Sequence, residues 1–321
     1  MSIGAAEIGK KAVRITNSIV NIAVLIVILL LIAFSAYALW DSDQVYQLAD
    51  AKKYEIYKPR IEDEGKSFGE LQALNPEVFA WLTVYGTNID YPVTQGENNM
   101  KYVNTNAEGN YSLSGAIFLD SANSKDFTDF NSIFYGHHME KQAMFGEIGY
   151  FTEKSYFDAR LYGNLYYDGK DHGLEFFAFL HIDAYDSSVF APGIQGEEEQ
   201  QAYLEDLLLK AKHSRDIGVT VEDRIVLLST CSAESTNGRD ILVAKITDEL
   251  YEDAFKTIET NNTGTQSTVD TQQGSWKSIP AWLWITLAVL VALIILVIVI
   301  FNRRKRFKDI ETGNASKQKE K

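Results

Sequence analysis

Two long stretches without a charged residue constrain this chain more than any other feature. They cover residues 15–40, "ITNSIVNIAVLIVILLLIAFSAYALW", and residues 278–302, "SIPAWLWITLAVLVALIILVIVIFN". Each can cross a bilayer as a helix, and neither shows the polar stripe expected of a long helix in a soluble core. A cleaved signal peptide is the alternative for the first, but its apolar part is longer than usual and no clear small-residue cleavage site follows. We therefore expect two transmembrane helices, the first an uncleaved anchor.

The basic residues beside these stretches indicate their orientation. Lys10, Lys11 and Arg14 precede the first stretch, and the second leads into "RRKRFK" at 303–308. Positively charged flanks stay on the cytoplasmic side of a membrane. We therefore expect a protein of the cell membrane with cytoplasmic ends and an extracellular middle, bounded at 1–14, 41–277 and 303–321.

Charge and cysteine content narrow the function. The formal net charge is −14, which makes nucleic acid an unfavourable partner. The chain has one cysteine, Cys231, so its extracellular part has no internal disulfide. An exposed lone thiol outside the cell is an oxidation liability. Cys231 is therefore either buried and inert or used in chemistry, and the count alone favours the first.

The extracellular part divides into three segments. Residues 41–74 are polar and helical, as a stalk or as a helix packed on the domain; residues 75–255 form the globular domain; residues 256–277 are a polar linker. The domain contains short segments rich in aromatic and β-branched residues, typical of a barrel or sandwich. These are "FAWLTVYG", "NIDYPVTQG", "GAIFLD", "NSIFYGHH", "NLYYDG", "EFFAFLHIDAY", "RIVLLSTC" and "RDILVAKI". One helix interrupts them at 196–216, with acids first and bases last, and we expect it to cover the sheet.

The surroundings of Cys231 favour chemistry. It ends the strand "RIVLLSTC", a polar turn "SAESTNG" follows, and Arg239 opens the returning strand "RDILVAKI". Pairing of the two strands would bring Arg239 close to Cys231. A guanidinium there would favour the thiolate and supply donors to an oxyanion. The alternative is a surface charge at a strand start.

A second motif supplies a base. In "NSIFYGHHM" a strand ends at Gly136, followed by two of the chain's five histidines, His137 and His138. Adjacent strand residues face opposite sides, so at most one of the two faces a site. We select His137 because it directly follows the glycine. An imidazole is the usual partner of a thiol in acyl transfer. The alternatives are a structural histidine and a metal site, the latter weak because no further cysteine or histidine joins the pair.

Together these motifs resemble the sortase family over residues 70–250. "LLSTC" matches the family's T-L-x-T-C strand end, with Leu227 where threonine is usual; Arg239 follows eight residues later, and "YGHHM" supplies the histidine. "NIDYPVTQGENNMKYVNTN", "LSGAIFLD", the doubled histidine and the long helix before the cysteine strand resemble class B members. The resemblance implies an eight-stranded β-barrel with an N-terminal helix and that long helix.

The resemblance also implies a mechanism. Cys231 would attack the threonine carbonyl of a C-terminal sorting signal on a secreted protein, giving a thioacyl enzyme. His137 would protonate the leaving amine and deprotonate the incoming one, and Arg239 with the backbone N–H of Ser232 would hold the oxyanion. Partners would be sorting-signal proteins and a peptidoglycan precursor or pilin amine. No metal or organic cofactor is implied.

Three further positions carry over as substrate-binding residues. Asn99 and Val103 align with a class B loop that lines the substrate groove. Ser229 lies two residues before Cys231 and so faces the same side of its strand; the alternative is a packed small residue. Class B resemblance favours an Asn-Pro-x-Thr signal over Leu-Pro-x-Thr-Gly, and family habit suggests a Gram-positive bacterium.

One feature departs from the class B pattern. A C-terminal membrane segment is more typical of pilin-polymerising sortases, which usually also carry a lid with an Asp-Pro-aromatic motif. Residues 41–75 contain "KPR" and "NPE" but no such motif. We therefore expect cell-wall anchoring, with pilin polymerisation through a lysine amine, a secreted thiol peptidase and a catalytically idle scaffold as alternatives.

Overall fold

The computed structural model describes residues 3–60, 66–231 and 237–256. The helices are α1 (Ile3–Ala49), α2 (Lys66–Leu74), α3 (Lys154–Ala159) and α4 (Glu197–Lys210). The first five strands are β1 (Val78–Val84), β2 (Asp90–Thr94), β3 (Ile117–Leu119), β4 (Asn131–Tyr135) and β5 (Tyr162–Tyr167). The remaining strands are β6 (Lys170–Asp183), β7 (Ala211–Ser214), β8 (Arg224–Cys231) and β9 (Gly238–Thr247).

The sheet closes into the expected barrel. Its strand order is β5-β1-β2-β3-β4-β8-β9-β6-β7, and an additional β5–β6 pairing joins the ends. Eight strands therefore form the closed ring, and β7 attaches outside it to the second half of the long strand β6. The predicted eight-stranded barrel with an N-terminal helix is confirmed.

The cysteine strand is apolar because it is buried on both faces. Val226 and Leu228 on its inner face belong to the barrel core, whereas Ile225 and Leu227 on its outer face belong to a second cluster that includes Leu207 of α4. Full burial of one leucine side chain contributes about 1.5–3 kcal/mol. Helix α4 thus covers the sheet as predicted and holds β8 in place from outside the barrel.

The predicted end of this helix is wrong. We expected a helix over 196–216, but α4 ends at Lys210 and residues Ala211–Ser214 form β7. Ala211 takes extended backbone angles, and β7 pairs with β6 beyond the part that β5 covers. The exposed edge of β6 offers hydrogen bonds that override the local helical pattern.

The N-terminal part of the chain contains one helical span. Among the described residues, a single helix, Ala12–Ala49, is long and apolar enough to cross a membrane. The compact unit with the barrel starts at Ser42. Within it, Tyr54, Phe68 and Leu71 are buried in the barrel core, so the segment before β1 packs on the domain. The second predicted span, 278–302, lies outside the described residues, as does all of the linker after residue 256.

Candidate active site

Two parallel strands bring the predicted histidine to the cysteine. Strands β4 and β8 pair with Tyr135 opposite Ser229, and the N–H of Gly136 donates to the carbonyl of Ser229 at 3.2 Å. His137 lies two residues beyond Tyr135, and Cys231 lies two residues beyond Ser229. Side chains alternate with a period of two, so His137 and Cys231 lie at the same level on one face.

The antiparallel neighbour adds the arginine. Strands β8 and β9 pair with Cys231 directly opposite Arg239, as the hairpin pattern predicts. Arg239 is half-buried, and its Nη1 donates to the carbonyl of Gly238 at 3.0 Å. The three strands therefore bring the predicted catalytic side chains into one row, in the order His137, Cys231, Arg239.

A cavity of about 260 Å³ contains this row. It is lined by Asn99, Val103, Phe118, Tyr135, Gly136, His137, Ser229, Thr230, Cys231 and Arg239. Every predicted site residue lines it except Ser232, which lies outside the described residues. Three cavities of about 480, 510 and 600 Å³ are larger, but none of them contains the thiol. The smaller cavity is therefore the candidate active site because it contains the thiol, although it is not the largest.

Cys231 is a free, solvent-exposed thiol. The alternative of a buried, inert cysteine does not describe this structure. It contrasts with Ser229 and Thr230, each 2 % exposed, on the same strand. Cys231 is therefore the point at which the buried strand β8 reaches solvent.

The two adjacent histidines face different cavities. His137 lines the cavity of Cys231, and its Nε2 lies 2.8 Å from the carbonyl oxygen of Val103. His138 lines the cavity of about 600 Å³ together with Asp240, and the Nδ1 atom of His138 is buried without a hydrogen-bond partner. Asp240 accepts from His181 Nδ1 at 2.7 Å. Only His137 of the two therefore lines the cavity of the thiol, and the two side chains face different cavities, as strand alternation predicts.

A hydrogen-bond network behind the cavity escaped the sequence reasoning. The carboxylate of Asp120 accepts from Asn99 Nδ2 at 2.8 Å and from the hydroxyl of Tyr135 at 3.0 Å. Burial, and then the charge of Asp120, raises the pKa of Tyr135, which keeps the hydroxyl protonated as a donor. Tyr135 was detectable, because it lies two residues before His137 and therefore shares its face. Asp120 had no such signal.

Metal ligation finds no support in the described parts of the chain. No three of their His, Cys, Asp and Glu side chains are grouped so that they could hold an ion. The described lining of the Cys231 cavity offers one thiol, one imidazole and one guanidinium as its ionisable groups besides the tyrosine hydroxyl. These groups fit nucleophilic acyl transfer.

Comparison with known proteins places this geometry in a family, although no family model matches the chain. Sortase B of Listeria monocytogenes is 31% identical over 183 residues, which cover 55% of this chain and 72% of the relative. Sortase B of Staphylococcus aureus is 29% identical over 208 residues, which cover 63% of this chain and 81% of the relative. Both matches exceed two thirds of the relative's length.

Solved structures agree. Sortase B from the type II pilus of Streptococcus pneumoniae is 52% identical, with a TM-score of 0.51, over 57% of this chain and 99% of that one. A Streptococcus pyogenes class B sortase involved in pilus biogenesis is 41% identical, with a TM-score of 0.52 and the same coverage. A sortase B complexed with triglycine is 25% identical, with a TM-score of 0.54, over 65% and 98%. The barrel, the exposed cysteine and these relatives lead to one conclusion: the chain belongs to the class B sortase family.

Proposed function

We propose that this cysteine transpeptidase is membrane-anchored, cleaves a C-terminal sorting signal of secreted proteins and joins the threonine carboxyl group to a cell-wall amine. The observation that supports this most is the row of His137, Cys231 and Arg239 along one cavity. Thiol acyl transfer needs a nucleophile, a group that exchanges protons and a donor for the oxyanion. This row contains one of each.

The chemistry proceeds in two steps. In the first, the sulfur of Cys231 attacks the threonine carbonyl carbon while its proton passes to His137. The C–N bond then breaks, the leaving amine takes the proton from His137, and a thioacyl enzyme remains. In the second, an amine attacks the thioester and gives its proton to His137. The C–S bond breaks, and the sulfur recovers a proton from the imidazolium.

The oxyanion of each step would be held by Arg239 and by the backbone N–H of Ser232. A guanidinium presents several donors in a fixed plane and stays charged, which suits an oxygen that gains and loses charge. Arg239 is directly opposite the thiol across the β8–β9 pair. Ser232 lies outside the described residues, so its role remains a prediction.

The sorting signal would lie along the rest of the cavity. Asn99, Val103 and Ser229 all line this cavity, which supports their proposed role as substrate-binding residues. We favour an Asn-Pro-x-Thr signal over Leu-Pro-x-Thr-Gly. The acceptor would be a peptidoglycan amine, and the relative complexed with triglycine supports an amine at the end of a short glycine chain.

Pilin polymerisation is the second candidate. The structures from streptococcal pili share 52% and 41% identity with this chain, more than the 25% shared with the triglycine complex. In that function a lysine amine of a pilin would resolve the thioester. Against it, residues 41–75 lack the Asp-Pro-aromatic motif of a lid.

The helix Ala12–Ala49 supports membrane anchoring. We place the barrel, with domain bounds 75–255, on the extracellular side, as the basic residues before the first apolar stretch favour. Substrate, enzyme and a lipid-linked amine would then meet at the outer face of the membrane.

Intact-protein mass spectrometry tests the proposal. The full chain in detergent micelles is incubated with a panel of sorting-signal peptides, with and without triglycine or a lysine-containing pilin peptide. We expect an adduct that maps to Cys231, is absent in Cys231→Ala and transfers to one of the amines. The amine that resolves it separates anchoring from polymerisation. A thiol that is alkylated by iodoacetamide but forms no adduct with any peptide would contradict transpeptidation and favour the scaffold alternative.

A further inference from the structure

Asp120 is a buried carboxylate immediately behind the catalytic cavity. It follows β3 and is 6 % exposed. Its Oδ2 accepts from Asn99 Nδ2 at 2.8 Å and from the Tyr135 hydroxyl at 3.0 Å, and its Oδ1 accepts from the backbone N–H of Ala122 at 2.9 Å. Both side chains that it holds line the cavity of Cys231, whereas Asp120 itself does not. It can therefore act on a substrate only through them.

The contacts of Asn99 determine which way its amide points. Its Oδ1 accepts from the backbone N–H of Ser121 at 2.7 Å, and its nitrogen faces the carboxylate of Asp120. An N–H needs an acceptor and a carboxylate needs a donor, so the amide has one allowed orientation. In that orientation one N–H of Asn99 and one lone pair of its oxygen are not used by these two contacts.

The β4 register places this network away from the reacting bond. The carboxylate of Asp120 accepts from Tyr135, which lies two residues before His137 on β4, and from Asn99. Two extended residues span about 7 Å. An extended peptide whose threonine carbonyl lies at Cys231 would therefore reach this network with a residue upstream of the threonine.

We propose that Asp120 is a positioning residue for sorting-signal recognition: it holds Asn99 so that the second N–H of Asn99 donates to a carbonyl oxygen of the upstream signal, and it holds Tyr135, which lines the same cavity. This inference rests on the proposed transpeptidase function and adds how the signal is oriented. The role predicts an effect on peptide capture and not on the acyl-transfer steps.

The chain offers a matched control. Asp129 also accepts from an asparagine amide and a backbone N–H: Asn123 Nδ2 at 2.9 Å and Ser124 N at 2.7 Å. Asp129 and Asn123 do not line the Cys231 cavity. Asp120→Asn and Asp129→Asn therefore remove the same kind of contact, but only one of them behind the site.

The first measurement is the steady-state kinetics of the full chain, with the sorting-signal peptide that the wild type cleaves as the substrate. Hydrogen bonds to charged groups are the strong ones, so we expect Asp120→Asn to raise KM about ten-fold and to leave kcat within about two-fold. Asp129→Asn should change neither constant. A fall in kcat without a change in KM, or equal effects of both variants, would overturn the proposal.

Exchanging the amide of Asn99 with the carboxylate of Asp120 distinguishes positioning of the peptide from support of the fold alone. Asn99→Asp places a second carboxylate against Asp120, and adding Asp120→Asn restores one amide facing one carboxylate. The double variant should therefore recover the melting temperature of the wild type. Its KM should stay raised about ten-fold, because the group that faces the peptide is now an acceptor and not a donor. Full recovery of KM in the double variant would show that the network only supports the fold.

A readout without peptide keeps this inference separate from the proposed function. In the full chain with ¹⁵N-labelled asparagine, the side-chain amide signal of Asn99 is identified by its loss in Asn99→Ala. We expect Asp120→Asn to shift this signal and to speed its proton exchange, and Asp129→Asn to leave it unchanged. An Asn99 signal insensitive to Asp120→Asn would overturn the positioning claim whether or not the wild type forms an adduct; absence of the wild-type adduct alone would contradict only the proposed function.

Discussion

The Nε2 atom of His137 lies 2.8 Å from the main-chain carbonyl oxygen of Val103. A carbonyl oxygen only accepts, so Nε2 carries a proton in this contact. In the neutral ring the lone pair is then on Nδ1, which in the proposed mechanism is the nitrogen that exchanges protons with the reacting groups. Val103 ends the short 3-10 turn Lys101–Val103, so a backbone atom beside the cavity orients the imidazole.

Replacing the base should abolish proton transfer and leave the fold intact. His137→Gln retains an N–H that can reach the Val103 carbonyl but has no titratable nitrogen. We expect kcat/KM for peptide cleavage to fall by about 10²–10⁴. His138→Gln is the control, because His138 lines the other cavity, and it should retain most of the activity. Equal losses in the two variants would contradict the assignment of His137.

A lysine at the position of Arg239 should not support the same rate of thioacyl formation. Arg239→Lys keeps the charge but loses the planar set of donors opposite Cys231. We expect the rate of thioacyl formation to fall by about 10²–10³, the usual effect of removing an oxyanion donor. Single-turnover mass spectrometry measures it. The control is Lys245→Arg on the same strand, where Lys245 pairs with Asp223 at 2.8 Å, and it should have no such effect. A normal rate of thioacyl formation in Arg239→Lys would contradict the role of Arg239 as the oxyanion donor.

The glycine before the histidine is required by space. A Cβ at Gly136 would lie 2.5 Å from Ile117 Cδ1 and 2.7 Å from Phe145 Cδ2, closer than real contacts allow. Both neighbours are fully packed in the core. We therefore expect Gly136→Ala to destabilise the domain by about 1–3 kcal/mol and to lower activity by displacing His137. Urea denaturation measures the first effect, and unchanged stability would show that the core yields without cost.

The sequence predicted the half of the site that is local. Cys231 and Arg239 are joined by a short turn, so their strands could be paired from the pattern alone. The third member is not local: β4 and β8 are parallel and lie about 90 residues apart in the sequence, and strand periodicity carries no information about which strands are neighbours. Alternation allows at most one of His137 and His138 to face the thiol, and the position directly after Gly136 favoured His137. Their placement beside the thiol came from the family resemblance.

The missed features depend on tertiary contacts. The predicted helix extended past Lys210 because the helical pattern of the sequence continues there, but the residues after Lys210 pair with β6 instead. Asp120 holds residues from two other segments, Asn99 and Tyr135, and no spacing in a single segment marks such a residue. Asp120 therefore escaped because it requires knowledge of which segments are neighbours, whereas Tyr135 was missed although two-residue alternation from His137 marks it.

The end of α4 carries a small ionic network whose contribution should depend on pH. Lys210 Nζ lies 2.8 Å from Asp186 Oδ2 and 2.8 Å from Asp206 Oδ2. Hydrogen bonds from Lys210 lower the pKa of both carboxyl groups. The pKa of Lys210 is raised: burial opposes this rise, but the two carboxylates outweigh it. The network connects the helix that covers β8 to the loop after β6.

The signs of these shifts set the pH window. A carboxyl pKa that is depressed in the folded state stabilises the fold above the unfolded value, about 4, and this contribution is lost as pH falls through the folded pKa. A raised lysine pKa stabilises below the unfolded value, about 10.4, and is lost as pH rises through the folded pKa. The network therefore stabilises between these limits.

Removing the cation should destabilise the domain at neutral pH and not in acid. The three side chains of this network are 25–34% exposed, so screening limits the loss in Lys210→Met to about 1 kcal/mol at neutral pH. Urea denaturation at neutral pH and at a series of pH values below the ordinary carboxyl pKa of about 4 measures the difference, since the loss should shrink as the pH falls through the lowered pKa of the two carboxyl groups. Lys170→Met, at an exposed lysine of β6, is the control and should change little. A loss for Lys210→Met that stays constant with pH would show that the apolar stem of the lysine, and not its charge, holds α4 in place.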